Sequence, residues 1–190
     1  MNNHKKNVRI FFITIIILLP VIGAFNYMID PYGIYNTNLF SFDKIKKSDK
    51  IRLVKAMKIQ EKKPKSISLG TSRTEYGYDP THSYFIKPSY NLATSDSSMY
   101  ENKLYFLNAL KEETLKKVLL VADYRMFNNL TQQSINDLET YFEDKNIYSY
   151  LFSIDVLKDS LLIIIGGNNS TVYLENGQRD HYYNWNVILN

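Results

Sequence analysis

Hydrophobic and polar positions divide the chain into an N-terminal apolar block followed by short alternating elements. From Ile10 to Ile29 there are 20 residues without a charge, mostly Ile, Phe, Leu and Val. That is about the length a helix needs to cross a hydrocarbon core roughly 30 Å thick. Pro20 and Gly23 interrupt the run, and both are tolerated in membrane helices. Asn26 to Phe42, rich in Asn, Tyr, Gly and Pro, reads as an extended linker. A helix follows from Asp49 as cap to about Gln60, with Ile51, Leu53, Val54 and Met57 on its apolar side, and Pro64 ends it.

Ser66 to Gly70 then reads as a buried strand stopped by a glycine that permits a sharp turn. Tyr78-Asp79-Pro80 marks a turn, because proline disfavours helix in the residue before it. A second strand is expected over Ser89–Ala93. Ser98 with Glu101 three residues on resembles a capping box and opens a helix from Met99 to about Glu112. Val118–Ala122, apolar throughout, is expected to be a central strand. Thr131–Phe142 reads as a polar helix. Ser153 caps a further helix carrying Leu157, Leu161, Leu162 and Ile165, ended by Gly166-Gly167; a strand at Leu161–Ile165 is the competing reading.

Strands alternating with helices imply an α/β fold with a parallel sheet covered on both faces. The divisions expected are a cytoplasmic tail over 1–9, a transmembrane anchor over 10–29, linker and helix over 30–64, and an incomplete α/β domain over 65–190.

Charge sharpens the anchor reading. Lys5, Lys6 and Arg9 precede the apolar run, which places the N-terminus in the cytoplasm and the bulk outside. Lys44, Lys46, Lys47 and Lys50 near the other end argue the opposite way. A cleaved signal peptide is the rival reading, although the run is long for one and no small-x-small site follows it. A buried soluble helix is the other. The formal charge of +4 has its basic excess in the first 65 residues, which suits a solvated face near anionic headgroups. No nucleic-acid module organises these cations, so no nucleic-acid partner is expected. The chain has no cysteine, which excludes a disulfide framework and thiolate metal sites. No metal-ligand spacing or phosphate loop is present, and no cofactor is expected.

The chemistry-bearing candidates lie at strand ends. Ser72 leaves the first strand at its carboxyl end, where α/β sheets place their ligands, and is the candidate nucleophile; a plain turn hydroxyl is the alternative. Arg73 either holds an anionic substrate group or is a solvated charge paired with Glu75. Asp123 either orients a partner or caps a helix. The tyrosines either stack on sugars or fill core and rim. Asn169-Ser170-Thr171 fits a glycosylation acceptor, relevant only in a eukaryotic secretory route.

Taken in order, Gly70-Thr71-Ser72-Arg73-Thr74-Glu75, Tyr90-Asn91-Leu92-Ala93 and Val118-Leu119-Leu120-Val121-Ala122-Asp123 resemble the blocks of membrane-anchored SGNH (GDSL-type) hydrolase relatives. Those relatives occur with bacterial surface-polysaccharide and O-acylation systems. Asp30-Pro31-Tyr32-Gly33 and Tyr78-Asp79-Pro80 add to the likeness, which covers Ile29 to Ile165. The resemblance implies a partial three-layer, flavodoxin-like parallel sheet and serine ester hydrolase or O-acyltransferase ancestry. It implies as partners the lipid bilayer and a cell-surface polysaccharide or an acyl donor.

By the same resemblance Ser72 takes the nucleophile position. Asn91 lies near the block that commonly supplies an oxyanion-hole glycine, where this chain has Ala93-Thr94-Ser95. Ala122-Asp123-Tyr124-Arg125 stands where the family has Gly-x-Asn-Asp, and no Asp-x-x-His motif ends the chain. Among the histidines, His4 precedes the anchor, Asp180 and His181 are adjacent, and Asp79 with His82 has the spacing but sits beside the nucleophile block. The expectation is therefore the N-terminal part of such a protein, truncated or degenerate and weakly active. A non-catalytic anchored protein that binds glycan or a membrane partner is the second reading.

Overall fold

In the computed structural model the residues described are 2–33, 35, 37, 39, 51–128, 147–165 and 173–180. They form two compact units, one built from 1–45 with 146–169 and the other from 46–145 with 170–190.

The first unit is organised by helix α1 (Asn2–Ile29), which continues unbroken through Pro20. The span His4–Ile29 is long and apolar enough to cross a membrane. Asn26 to Ile29, which the sequence reading places both at the end of the anchor and at the start of the linker, are the last turn of this helix. The reason is that Asn26 finds partners for its amide, so a polar residue does not interrupt the helix. A 3-10 helix (Ile147–Phe152) and helix α5 (Ile154–Ile164) pack against the end of α1, where Ile29 and Ile163 form a small cluster with Phe25. Leu161–Ile165 is thus helical rather than strand. Ser153 holds the N-cap position, although its side chain makes no capping hydrogen bond.

The second unit contains helix α2 (Ile51–Lys62), strand β1 (Ser66–Leu69), helix α3 (Ser72–Gly77), strand β2 (Ser89–Asn91), helix α4 (Met99–Lys111) and strand β3 (Lys117–Leu120). The strands form one parallel sheet in the order β2-β1-β3. Ser66 of β1 aligns with Ser89 on one side and Lys117 on the other. The α4 cap is as expected, with the Ser98 side chain accepting from the Glu101 amide at 3.1 Å.

Ile67 and Leu69 lie on one face of β1, as the period of two requires, and meet Ala56 and Ile59 of α2 and Tyr105 and Ala109 of α4. Tyr90, in register with Ile67, and Leu92 complete this core. The polar helix expected at 131–142 lies outside the described residues.

One expectation is corrected. β3, the most apolar strand, is not the central one: β1 is, and all four of its residues are buried. β3 is half-buried, with Leu120 exposed. Of the two serines in β1, Ser66 Oγ accepts the Ile86 amide at 2.8 Å, whereas the buried Ser68 Oγ has no hydrogen-bond partner among the described residues.

Gly70 lets β1 turn abruptly into α3. Its φ is +154°, and a Cβ there would stand 2.1 Å from Thr74 Oγ1 and 3.1 Å from the Val121 carbonyl. Only glycine fits both the backbone and the space. Gly70→Ala is expected to cost at least about 2 kcal/mol of stability, since backbone strain alone is worth roughly 1–3 kcal/mol. Chemical denaturation of the full chain in detergent micelles checks this; an unchanged midpoint contradicts it.

Candidate functional site

The carboxyl ends of β1 and β3 frame a cavity of about 470 Å³ lined by Thr71, Ser72, Arg73, Asp96, Ser97, Asp123, Tyr124, Arg125 and Asn128. Its position follows from the topology: parallel strands end together, and the loops leaving them diverge around a crevice. The loop after β1 is clamped from both sides. The Gly70 carbonyl accepts from Ser97 Oγ at 2.7 Å and from the Thr94 amide at 3.3 Å, and the Leu69 carbonyl accepts from the Val121 amide at 3.0 Å.

Ser72 opens α3 half-buried, on the wall of this cavity, and no described residue hydrogen-bonds its hydroxyl. The first turn of a helix leaves its leading N–H groups outside the helix's own bonding. In α3 the amides of Thr74 and Glu75 already bond the Thr71 carbonyl, at 2.9 and 3.0 Å, and those of Ser72 and Arg73 precede them.

Arg73 is 73% exposed and pairs with Asp123 at 3.4 Å, not with Glu75. Residues two apart on a helix point about 200° apart, so Arg73 and Glu75 leave α3 on opposite sides. Asp123 combines both roles considered for it. Its Oδ1 accepts the Arg125 amide at 3.2 Å and caps the 3-10 turn Tyr124–Phe127, while its Oδ2 takes the Thr71 hydroxyl at 3.5 Å and Arg73. It ties the end of β3 to the end of β1.

Asn91 does not line the cavity. Its Nδ2 donates to the carbonyls of Thr74 and Tyr78, each at 3.0 Å, and its Oδ1 accepts the Ala93 amide at 3.0 Å. The side chain's hydrogen-bonding capacity is taken up in joining α3 to the end of β2, leaving none for an oxyanion.

Beneath the cavity wall lies a network that the sequence did not disclose. Glu75 is fully buried. Its carboxylate accepts from Tyr173 Oη at 2.8 Å and Ser95 Oγ at 2.6 Å, with Lys55 Nζ at 3.4 Å and Arg179 Nη1 at 3.8 Å. Lys55, also fully buried, donates to the Ala93 carbonyl as well. Arg179 lies over the Tyr76 ring, 4.7 Å from its centroid, and its amide donates to the Glu75 carbonyl at 3.0 Å. Beside this cluster Glu101 accepts Arg52 Nε at 2.9 Å and the Thr94 hydroxyl.

Burial dominates the titration of these groups. Desolvation pulls the Lys55 ammonium down to about 8, against the opposing charge of Glu75. It pushes the Glu101 carboxyl above its ordinary value, partly offset by Arg52 and Thr94. Tyr173 is raised by burial and then by the negative charge of Glu75, which keeps its hydroxyl a neutral donor.

The two described imidazoles, of His4 and His82, do not line the cavity. His82 is exposed in the 79–85 turn, where Nδ1 accepts the Tyr84 amide at 3.1 Å. His4 belongs to α1, and His181 is outside the described residues, as is Asn169-Ser170-Thr171. Among the described residues no histidine lines the cavity, and no cluster of His, Cys, Asp and Glu has the grouping to hold a metal. Of the tyrosines, Tyr90, Tyr105 and Tyr173 are core, whereas Tyr124 is 74% exposed at the cavity rim.

No family model, curated protein or solved structure matches this chain.

Two outcomes follow from the Glu75 cluster. Glu75→Gln leaves Lys55 buried without its counter-charge and is expected to cost about 3–5 kcal/mol in chemical denaturation, the scale of a broken buried pair; a loss below about 1 kcal/mol contradicts this assignment. Lys55 has a folded value below its unfolded one of 10.5, so between about pH 8 and 10.5 the unfolded chain holds the extra proton. Stability of the wild type relative to Lys55→Met should rise with pH across that window. A flat or falling difference contradicts it.

Proposed function

We propose that this chain is a membrane-anchored protein of the ester hydrolase or O-acyltransferase type, related to the SGNH hydrolases, which acts on acyl esters of a cell-surface glycan through Ser72. The supporting observation is the placement of that hydroxyl. It is half-buried at the carboxyl end of the central strand, on a cavity, with no described partner. In this reading the Ser72 oxygen attacks the ester carbonyl, and its proton passes to a general base. The alkoxide of the glycan leaves, and the acyl-serine is resolved by water or by a second hydroxyl. The first-turn amides of α3 would stabilise the oxyanion. Tyr124 offers an aromatic face to a sugar ring, and Arg73 and Arg125 offer donors to its oxygens. The basic residues ahead of the apolar span favour a cytoplasmic N-terminus with the cavity-bearing unit outside.

A second reading, a non-catalytic anchored protein that binds glycan or a membrane partner, is favoured by one observation: no imidazole lines the cavity among the described residues. Without an oriented base a serine keeps little nucleophilicity.

Hydrolysis of p-nitrophenyl acetate by the full chain in micelles separates the two. The enzymatic reading expects Ser72→Ala to lower the rate about 100-fold or more, the scale on which loss of an activated nucleophile acts. Whichever of His82→Ala and His181→Ala reproduces that loss identifies the base. Equal rates for wild type and Ser72→Ala remove Ser72 from any mechanism and leave the binding reading.

A further inference from the structure

Asn26 is a buried amide near the end of an otherwise apolar span. In hydrocarbon such a group must find its partners within the protein. Its Nδ2 donates to the carbonyls of Leu151 at 2.7 Å and Ser153 at 3.3 Å, and its Oδ1 accepts from Ser160 Oγ at 3.2 Å. All three partners come from the segment 147–165. One turn earlier, Gly23 gives room to the Phe152 ring, which a Cβ at position 23 would meet at 2.8 Å. One turn later, Ile29 packs on Ile163.

The height of this docking can be counted along α1. At 1.5 Å per residue Gly23 lies roughly 20 Å beyond Ile10, and Ile29 roughly 29 Å beyond it. A hydrocarbon core is about 30 Å thick. The 3-10 helix and α5 therefore meet α1 at the level of the outer leaflet and not above the membrane.

α5 carries the surface that such a position requires. Val156, Ser160 and Ile163 are its buried residues. At 100° per residue, Ile154, Leu157, Leu161, Ile164 and Ile165 fall on one apolar stripe, with Lys158 at its edge and Asp155 and Asp159 beyond it on the side that also carries Leu162. Ile154 is 66% exposed and Ile165 78%, with Leu161, Ile164 and Phe152 exposed as well. α1 is itself exposed at this level, at Val21 and Met28. An uncovered apolar stripe beside a polar one, joined to a membrane helix, is the pattern of a helix lying in a bilayer interface.

We propose that α5, with Phe152, is a second membrane element: an interfacial helix whose stripe faces the acyl chains of the outer leaflet beside the end of α1. This rests on α1 spanning the bilayer. It assigns the lipid surface as the occupant of the stripe, in place of a second copy of the chain or another protein.

The chain has no cysteine, so single nitroxide labels are placed without background. Full-length Ile154→Cys, Leu161→Cys and Ile165→Cys are labelled, with Asp155→Cys as comparator and Ile16→Cys in α1 as reference. Each is reconstituted in phosphatidylcholine and phosphatidylglycerol vesicles, and collision with oxygen and with a water-soluble nickel chelate is measured. The expected result is an oxygen-dominated ratio at 154, 161 and 165, as at 16, and a nickel-dominated ratio at 155. Nickel access at 154, 161 and 165 with an oxygen-dominated 16 overturns the interfacial helix and leaves the anchor standing. Nickel access at 16 as well overturns both. Stripe labels shielded from both reagents also overturn the proposal, because a protein then covers the stripe.

Discussion

The carboxylate of Glu75 is the point on which the cavity-bearing unit depends. A charged group with no access to water is tolerable only where partners replace its hydration, and Glu75 is ringed by Lys55, Ser95, Tyr173 and Arg179. These come from α2, the loop after β2 and the segment 173–180, and Glu75 itself from α3. The carboxylate thus ties together four pieces of chain that are distant in sequence. The net free energy of such a cluster is small, because desolvation opposes attraction. Its contribution is to geometry: any alternative packing strands a charge in the interior.

That geometry sets the candidate site. Ser72 and Glu75 share α3, a helix of 6 residues. The face of α3 bearing Glu75 is locked inward, and the end bearing Ser72 is thereby fixed at the cavity. Gly70, held through its carbonyl by Ser97 and Thr94, sets the angle at which α3 leaves β1. Asp123 performs the matching task across the crevice by joining Thr71 and Arg73 to the turn after β3. A hydroxyl supported in this way is held by neighbours whose own positions are fixed, as the proposed reaction would require.

Local order was largely legible in the sequence. Gly70, Pro64 and the Ser98–Glu101 pair punctuate the chain through backbone restrictions that act over a few residues, and the elements they bound are close to those observed. What depended on distant partners was not legible. The apolar run Val118–Ala122 suggested a central strand, yet strand order depends on which pairings close, and β1 with its two serines lies between the others. Asn26 could be read as anchor or as linker, because the partners that hold it in the helix lie more than 120 residues away. Glu75 looked like a surface mate for Arg73, and only the helical angle between positions 73 and 75 separates the solvated charge from the buried one. Asn91 was placed near an oxyanion donor by resemblance, whereas its amide joins two elements.

Hydrogen exchange read by mass spectrometry on the full chain tests most directly whether Glu75 holds these segments as one body. In Glu75→Gln, the account predicts faster exchange together, and by similar factors, in peptides covering 70–78, 93–98 and 173–180. Acceleration confined to 70–78, with the other two at wild-type rates, would contradict it.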